Sequence, residues 1–329
     1  MAEIRLLEWI RATRWHTSAL TSSVLVLGWL IAGGNFFTWN TLLWALAGLF
    51  YHTSGFMNND LMDYIYDLKD KYKTHFGLTS GKLDFRTATQ INCILIMISA
   101  IFITYLTQVN FIALLFLLIC TLSGFHYNYY CKKTLFAPIS ISICFGLLIG
   151  ISYFSTTSTI DYSLILLCIC YGFAQIWVQI SVLGYAKDIE SDKINLFRYW
   201  GSKLDEDKLI ISNKVKIYGW LSKLPMPIFG FLIWNEANGS LPSLLLFTMV
   251  VVSTFCLYKY ILSSHKWSHK KTLTHCGGVE ISTYFGLLIV LENVLGWIVI
   301  GIMIILPLLW YIGWIRVFWG RGRGIAPRV

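Results

Sequence analysis

Long apolar segments recur along almost the whole chain and are separated by short polar loops. Each is long enough to cross the roughly 30 Å hydrocarbon core of a bilayer as an α-helix. They cover residues 17–34, 41–62, 87–107, 111–130, 137–156, 162–185, 215–234, 241–262 and 281–306. Only 13% of the 329 residues are charged, against roughly 25% in a soluble domain. The pattern excludes a soluble fold and predicts an all-α, polytopic membrane bundle of about nine transmembrane helices, with one domain over residues 1–329.

The two ends of the chain need separate interpretation. The first apolar segment is of membrane length and has no small-residue cleavage pattern after it, so we do not expect a signal peptide. Residues 308–319 are short, rich in Trp and follow Pro307. We therefore expect residues 307–329 to form an interfacial, basic C-terminal tail.

Lysine and arginine are confined to alternate loops. The loops near 32–40, 107–111, 156–161 and 235–241 contain neither residue. The positive-inside rule then predicts that the N-terminus and the basic loops are cytoplasmic. After nine crossings the tail would lie outside, so either the last segment re-enters or the tail breaks the rule. The residues in question are Arg316, Arg321, Arg323 and Arg328.

The net charge of +9 does not indicate a nucleic-acid partner, because the basic residues are dispersed over separate short loops. The eight cysteines contain no CxxC pair and lie mostly inside apolar segments. They are typical of small buried apolar residues, and indicate neither a zinc site nor a disulfide framework.

Two acidic groups stand where a long apolar segment ends and a basic stretch begins. The first contains Asp60, Asp63 and Asp67, which share one helix face at spacings i, i+3 and i+7. The second contains Asp188 and Asp192, at i and i+4. Like charges at these spacings repel unless a cation lies between them. Clustered carboxylate oxygens suit Mg²⁺, so the sequence predicts two Mg²⁺ ions, each shared with a bound diphosphate.

These motifs resemble the UbiA superfamily of intramembrane prenyltransferases. Asn59-Asp60-x-x-Asp63-x-x-x-Asp67 resembles its first aspartate-rich motif, and Asp188-x-x-x-Asp192 resembles its second. Three further segments are similar: the basic entry before helix 1, the loop after the first motif, and the Tyr- and Lys-containing end of helix 4. These are Arg11-Ala12-Thr13-Arg14, Leu78-Thr79-Ser80-Gly81-Lys82 and Tyr127-Asn128-Tyr129-Tyr130-Cys131-Lys132-Lys133.

The resemblance implies a nine-helix bundle that opens laterally to lipid, with a cytoplasmic cap formed by loops 2–3 and 6–7. It implies Mg²⁺-dependent transfer of a prenyl group from a polyprenyl diphosphate. By position, the metal ligands would be Asn59, Asp60, Asp63, Asp67, Asp188 and Asp192, of which Asp63, Asp67, Asp188 and Asp192 would be catalytic. The contacts to the substrate would come from Asn59, Arg14, Tyr127, Lys73 or Lys82, and Lys132 or Lys133.

The chain departs from the family pattern at two places. Phe76-Gly77-Leu78-Thr79-Ser80-Gly81 stands where the family often has Arg-Pro-Leu-Pro-Ser-Gly, so an Arg that contacts the diphosphate is missing or replaced. Tyr185 stands where many members have Asp. The acceptor therefore stays open among an aromatic acid, a quinone precursor, a haem and a glycerophosphate lipid. A UbiA-type membrane terpene cyclase, which needs no acceptor, is the alternative. A transporter is disfavoured because the acids lie at the membrane rim and not near its midplane.

A few polar residues inside the apolar segments have two interpretations each. Lys223 is either part of a site or a side chain that extends to the nearby interface. Gln175 and Gln179 are either substrate contacts or interhelical hydrogen-bonding groups. Glu292 and Asn293 either pair with a base in the cavity or bridge helices, and we favour helix packing. His75 is a candidate basic contact in the first loop.

Overall fold

The computed structural model describes residues 2–69, 77–131, 133–155, 161–190, 192 and 194–319. Lys73, His75 and Lys132 lie outside these residues. The described chain is almost entirely helical, with one small antiparallel sheet in the order β1-β2-β3. In this sheet Lys203 pairs with Ile210 and Lys208 pairs with Lys266.

The helices follow the predicted apolar segments closely. In the first half these are α1 (Ala2–Ala12), α2 (Trp15–Ile31), α3 (Trp39–Asp67), α4 (Phe85–Leu106), α5 (Phe111–Tyr130) and α6 (Ala137–Tyr153). Next come α7 (Tyr162–Val178), a π-helix (Gln179–Gly184), α8 (Tyr185–Lys187), α9 (Leu196–Tyr199), β1 (Lys203–Asp205) and β2 (Lys208–Ile210). The remainder are α10 (Asn213–Lys223), α11 (Pro225–Glu236), α12 (Leu241–Ile261), β3 (His265–Lys266), α13 (His269–Val290), α14 (Glu292–Leu295) and α15 (Trp297–Trp319).

Within the described residues, six helical stretches are long and apolar enough to cross a bilayer: Phe85–Leu106, Phe111–Tyr130, Tyr162–Lys187, Leu241–Ile261, His269–Val290 and Trp297–Val317. Two further apolar helices, α2 and α6, are shorter. The chain is thus an integral membrane protein of the polytopic helical class. The count of nine crossings stays a prediction.

The structure corrects the predicted ninth helix, residues 281–306. Helix α13 ends at Val290, and α15 begins only at Trp297. Gly296 lies between them at φ 76°, a left-handed backbone conformation that favours glycine. Helix α15 then continues through Pro307 to Trp319. Residues 308–319 therefore form the second half of a 23-residue helix, and their interfacial placement stays a prediction.

The chain divides into two compact units. Unit 1 contains residues 1–129, 148–160 and 301–329, and unit 2 contains residues 130–147 and 161–300. The first acidic motif belongs to unit 1 and the second to unit 2. The single domain over residues 1–329 stays a prediction.

Unit 1 is held together by close helix contacts and by a small core beneath the first motif. Gly48 of α3 approaches the backbone of Ser22 in α2, and Gly28 of α2 approaches the backbone of Ile149 in α6. Small residues permit such close approach where lipid supplies no hydrophobic driving force. The core cluster consists of Ala12, Met57, Leu61, Leu78, Leu83 and Ala88.

Unit 2 has its core around the π-helix and the segment after it. Its fully buried members include Val182, Ile189, Phe197 and Tyr258. Helix starts in this unit carry the expected capping residues: Ser212 accepts a hydrogen bond from the backbone N–H of Val215. This packing fixes the backbone at the second acidic motif.

Candidate functional site

The first acidic motif occupies the last turns of α3, which remains helical to Asp67. Asp60, Asp63 and Asp67 therefore share one face, as predicted. Asp63 and Asp67 are only 4% and 6% exposed. The amide of Asn59 donates to Asp63 Oδ2 at 3.3 Å. Buried carboxylates at the end of an apolar helix need cationic or hydrogen-bonding partners.

Arg14 is a cationic partner of this motif. Its guanidinium donates to Asp60 Oδ1 at 2.6 Å and lies 4.7 Å from the centre of the Phe56 ring. Burial alone would lower the pKa of Arg14, but the charge of Asp60 and the hydrogen bond to it raise that pKa above its ordinary value. The cation is therefore permanent.

The backbone at Arg14 forms a sharp elbow between α1 and α2. Arg14 has φ 51° and ψ 42°, a left-handed conformation that is uncommon for a residue with a side chain. Its carbonyl oxygen accepts from the Thr17 hydroxyl at 3.0 Å and lies 3.2 Å from His52 Nε2. His52 Nδ1 lies 2.8 Å from Thr21 Oγ1. These bonds hold the elbow in place.

His52 is a site residue that the sequence analysis missed. It is 3% exposed, and its ring centre lies 4.3 Å from that of Phe56. His52, Phe56 and Asp60 form one row at i, i+4 and i+8 along α3. This spacing is the signal in the sequence that could have predicted the row.

Lys82 is described, and it contacts a residue that the sequence analysis did not consider. Its ammonium lies 3.1 Å from Glu8 Oε1, which also pairs with Arg11 at 3.3 Å. Glu8 is only 8% exposed. The loop that contains Lys82 is thus tied to α1, and its predicted contact with diphosphate stays a prediction.

The other predicted substrate contacts lie near the end of α5. Tyr127 is in the last turn of this helix, which Asn128 ties to α3 through a 3.3 Å hydrogen bond to the carbonyl of Gly55. Lys133 belongs to unit 2, where its ammonium lies 5.9 Å from the ring centre of Tyr130. Their roles toward a substrate stay predictions.

The second acidic motif follows a change of helix type. Helix α7 passes into the π-helix Gln179–Gly184 and ends in the single turn α8. Such π-segments frequently occur at functional sites. The helix stops at Lys187, so Asp188 and Asp192 do not stand on a regular helix. The Asp192 N–H nevertheless donates to the Asp188 carbonyl at 2.9 Å, which keeps the two one turn apart. Lys187 lies 3.3 Å from Asp188 Oδ2.

Gln179, the first residue of the π-helix, donates to Glu280 Oε2 of α13 at 2.9 Å. Gln175 donates to the Glu280 carbonyl at 3.3 Å. All three side chains are part-exposed. An ionisable group inside a helix of membrane length is a functional candidate by default. Glu280 was not among the predicted site residues because it lies one position before the predicted ninth segment.

Lys223 does not extend to the interface. It is 1% exposed and donates to Thr283 Oγ1 at 3.0 Å. The carbonyl of Thr283 also accepts from the Tyr171 hydroxyl at 2.7 Å. Lys223 is therefore part of the buried polar packing of unit 2.

The described part of the chain contains no group of three or more His, Cys, Asp or Glu side chains that could hold a metal ion by itself. The donor set of the first motif nevertheless suits Mg²⁺, because it offers oxygen ligands from buried carboxylates on one face. Magnesium commonly takes only one or two protein carboxylates and completes its shell with substrate phosphates and water. The residues present therefore fit a metal that binds together with a diphosphate.

Comparison with known proteins identifies the family to which the chain is similar. The sequence profile of the UbiA prenyltransferase family matches residues 20–260. No curated protein matches the chain by sequence.

Among solved structures, a digeranylgeranylglyceryl phosphate synthase aligns with 18% identity and a TM-score of 0.64, covering 88% of this chain and 98% of its own. A UbiA homologue from Aeropyrum pernix K1 aligns with 14% identity and a TM-score of 0.60, over 89% and 98%. One from Archaeoglobus fulgidus, bound to GPP and Mg²⁺, aligns with 13% identity and a TM-score of 0.58, over 87% and 99%. These similarities establish a shared fold.

Proposed function

Because the chain belongs to the UbiA prenyltransferase family, we propose that it transfers a prenyl group from a polyprenyl diphosphate to an acceptor, with Mg²⁺ bound at the two aspartate motifs. The observation that supports this most is the first motif itself. Two buried carboxylates, Asp63 and Asp67, lie on one helix face beside the Arg14–Asp60 ion pair. A set of anionic and cationic groups at a membrane rim suits a metal diphosphate headgroup.

The chemistry follows from the charges. The allylic C–O bond breaks, the electron pair leaves with the diphosphate, and the acceptor's nucleophilic atom bonds to the resulting carbon cation and releases a proton. Two Mg²⁺ ions would neutralise charge on the departing diphosphate. The residues that would hold them are Asn59, Asp60, Asp63, Asp67, Asp188 and Asp192. Arg14, Lys82 and Lys133 would hold diphosphate oxygens, and Lys73 and Lys132 are further candidates.

Glu280 is our candidate for the group that receives the acceptor's proton. It is hydrogen-bonded to the first residue of the π-helix that leads to the second motif. The acceptor is an aromatic compound or a lipid. The positive-inside rule supports a cytoplasmic N-terminus and cytoplasmic acidic motifs.

A direct assay tests this proposal. Purified protein is incubated with GPP or DMAPP and Mg²⁺, alone or with an aromatic acid, a quinone precursor, a haem or a glycerophosphate lipid. We expect a prenylated acceptor by mass spectrometry and no product in excess EDTA. A cyclic hydrocarbon from the donor alone would establish the cyclase alternative instead. Turnover that persists without metal would contradict both.

A further inference from the structure

Helix α15 lies beyond the part of the chain that the family profile matches, and it contacts the elbow at Arg14. The indole N–H of Trp310 donates to the backbone carbonyl of Trp15 at 2.6 Å. Trp15 is the first residue of α2 and directly follows Arg14. The C-terminal helix thus hydrogen-bonds to the backbone directly after Arg14, the residue that pairs with Asp60.

Aromatic contacts surround this hydrogen bond. The ring of Trp15 stacks on Trp310 at 6.2 Å between centres and meets Trp314 edge-on at 5.6 Å. Trp310 and Trp314 are 5.8 Å apart, and His16 lies 5.9 Å from Tyr311. Aromatic pairs of this kind stabilise a contact beyond the apolar area that they bury. Together they attach the end of α15 to the start of α2.

The elbow needs such support. A left-handed conformation at a residue with a side chain is strained and persists only where the surroundings hold it. Thr17 and His52 hold the carbonyl of Arg14 from α2 and α3. Trp310 holds the next carbonyl from α15. A relaxed elbow would redirect the guanidinium, which now reaches Asp60.

We infer that α15 is a functional part of the donor site and that Trp310 is a positioning residue, which acts through Arg14 on the diphosphate. This inference rests on the proposed function. The ligand class is an allylic diphosphate with its Mg²⁺, and the contribution of Trp310 is to donor binding.

A double-mutant cycle tests the inference, with Trp310→Phe, Arg14→Ala and the double variant. Phenylalanine keeps an aromatic ring but removes the indole N–H that donates a hydrogen bond to the Trp15 carbonyl. We expect Trp310→Phe to raise the KM for GPP about fivefold to tenfold with little change in kcat, as loss of one part-buried hydrogen bond predicts. In the Arg14→Ala background it should have almost no further effect, because coupled residues are non-additive. The inference would be overturned if Trp310→Phe raised the KM equally in the wild-type and Arg14→Ala backgrounds, or did not raise it in the wild type.

Trp297→Phe is the matched control. It makes the same substitution at the other end of α15, where Trp297 is 45% exposed, and it should leave the KM unchanged. Hydrogen–deuterium exchange of residues 13–20 without donor gives a second measurement. Exchange should rise in Trp310→Phe and not in Trp297→Phe. If the wild type neither binds nor turns over GPP while this exchange difference is present, the proposed function fails and the support of the elbow by α15 stands.

Discussion

Arg14 and Asp60 are 46 positions apart in the sequence and are joined by a 2.6 Å hydrogen-bonded ion pair in unit 1. Their side chains are 34% and 18% exposed. Because the pair is part-buried, the cost of removing two charges from water offsets much of their attraction. Its main consequence is therefore positional: it places a permanent cation against a motif whose other carboxylates are buried.

Asp63→Ala and Asp192→Ala should each abolish prenyl transfer while the protein still folds. Each substitution removes an oxygen ligand that would hold Mg²⁺ against the departing diphosphate. Initial rates with GPP and Mg²⁺ measure the effect, and size-exclusion profiles in detergent check folding. Asp205→Asn, an exposed acid in β1, is the control and should keep full rate. Full activity of both Ala variants would rule out the two-motif mechanism.

Glu280→Gln should lower kcat about a hundredfold, because a general base typically contributes at least that factor. The KM for GPP should stay unchanged, since the proposed role of Glu280 is to take the acceptor's proton and not to bind the donor. Steady-state kinetics with varied donor and saturating acceptor make the measurement. An unchanged kcat would assign Glu280 to helix packing alone.

The two termini should lie on the same side of the membrane. Helix α15 has 23 residues, about 34 Å at 1.5 Å per residue, enough for another crossing. Its contacts with Trp15 bring Arg316 to the same end of unit 1 as Arg14. Fluorescent and alkaline phosphatase reporters fused to each end of the full chain report the side. Termini on opposite sides would support the nine crossings that the hydropathy predicts.

Gly28→Ala should destabilise the protein by about 1–3 kcal/mol, the usual cost of overpacking. An added methyl group would overlap the Ile149 carbonyl oxygen and the Ser152 hydroxyl. Thermal unfolding followed by fluorescence-detected size exclusion shows the loss as a lower Tm. Gly301→Ala is the control, since nothing lies within 4 Å of the methyl position there. An equal Tm for both variants would show that α2 and α6 can move apart.

Several elements could be predicted because they depend on local pattern. The first motif lies on one helix face because α3 continues to Asp67, as its spacing requires. The prediction of one continuous helix over residues 281–306 was wrong because a hydropathy window averages over Glu292, Asn293 and Gly296. Asn293 donates to the carbonyl of Ala237, and Glu292 accepts from the N–H of Ser240. A window of apolar residues does not reveal that such partners exist.

Composition and the spacing of charges are sufficient to determine the membrane class and the family likeness, because these depend on residue type and on periods within single helices. The acids that would hold a metal stay a prediction from the same spacing. The folded chain decides which residues support those acids. Three contacts between residues distant in sequence provide this support. Lys82 pairs with Glu8, His52 contacts the carbonyl of Arg14, and Trp310 donates to the carbonyl of Trp15. They exist only because helix packing brings these side chains together, and no local pattern in the sequence records that packing.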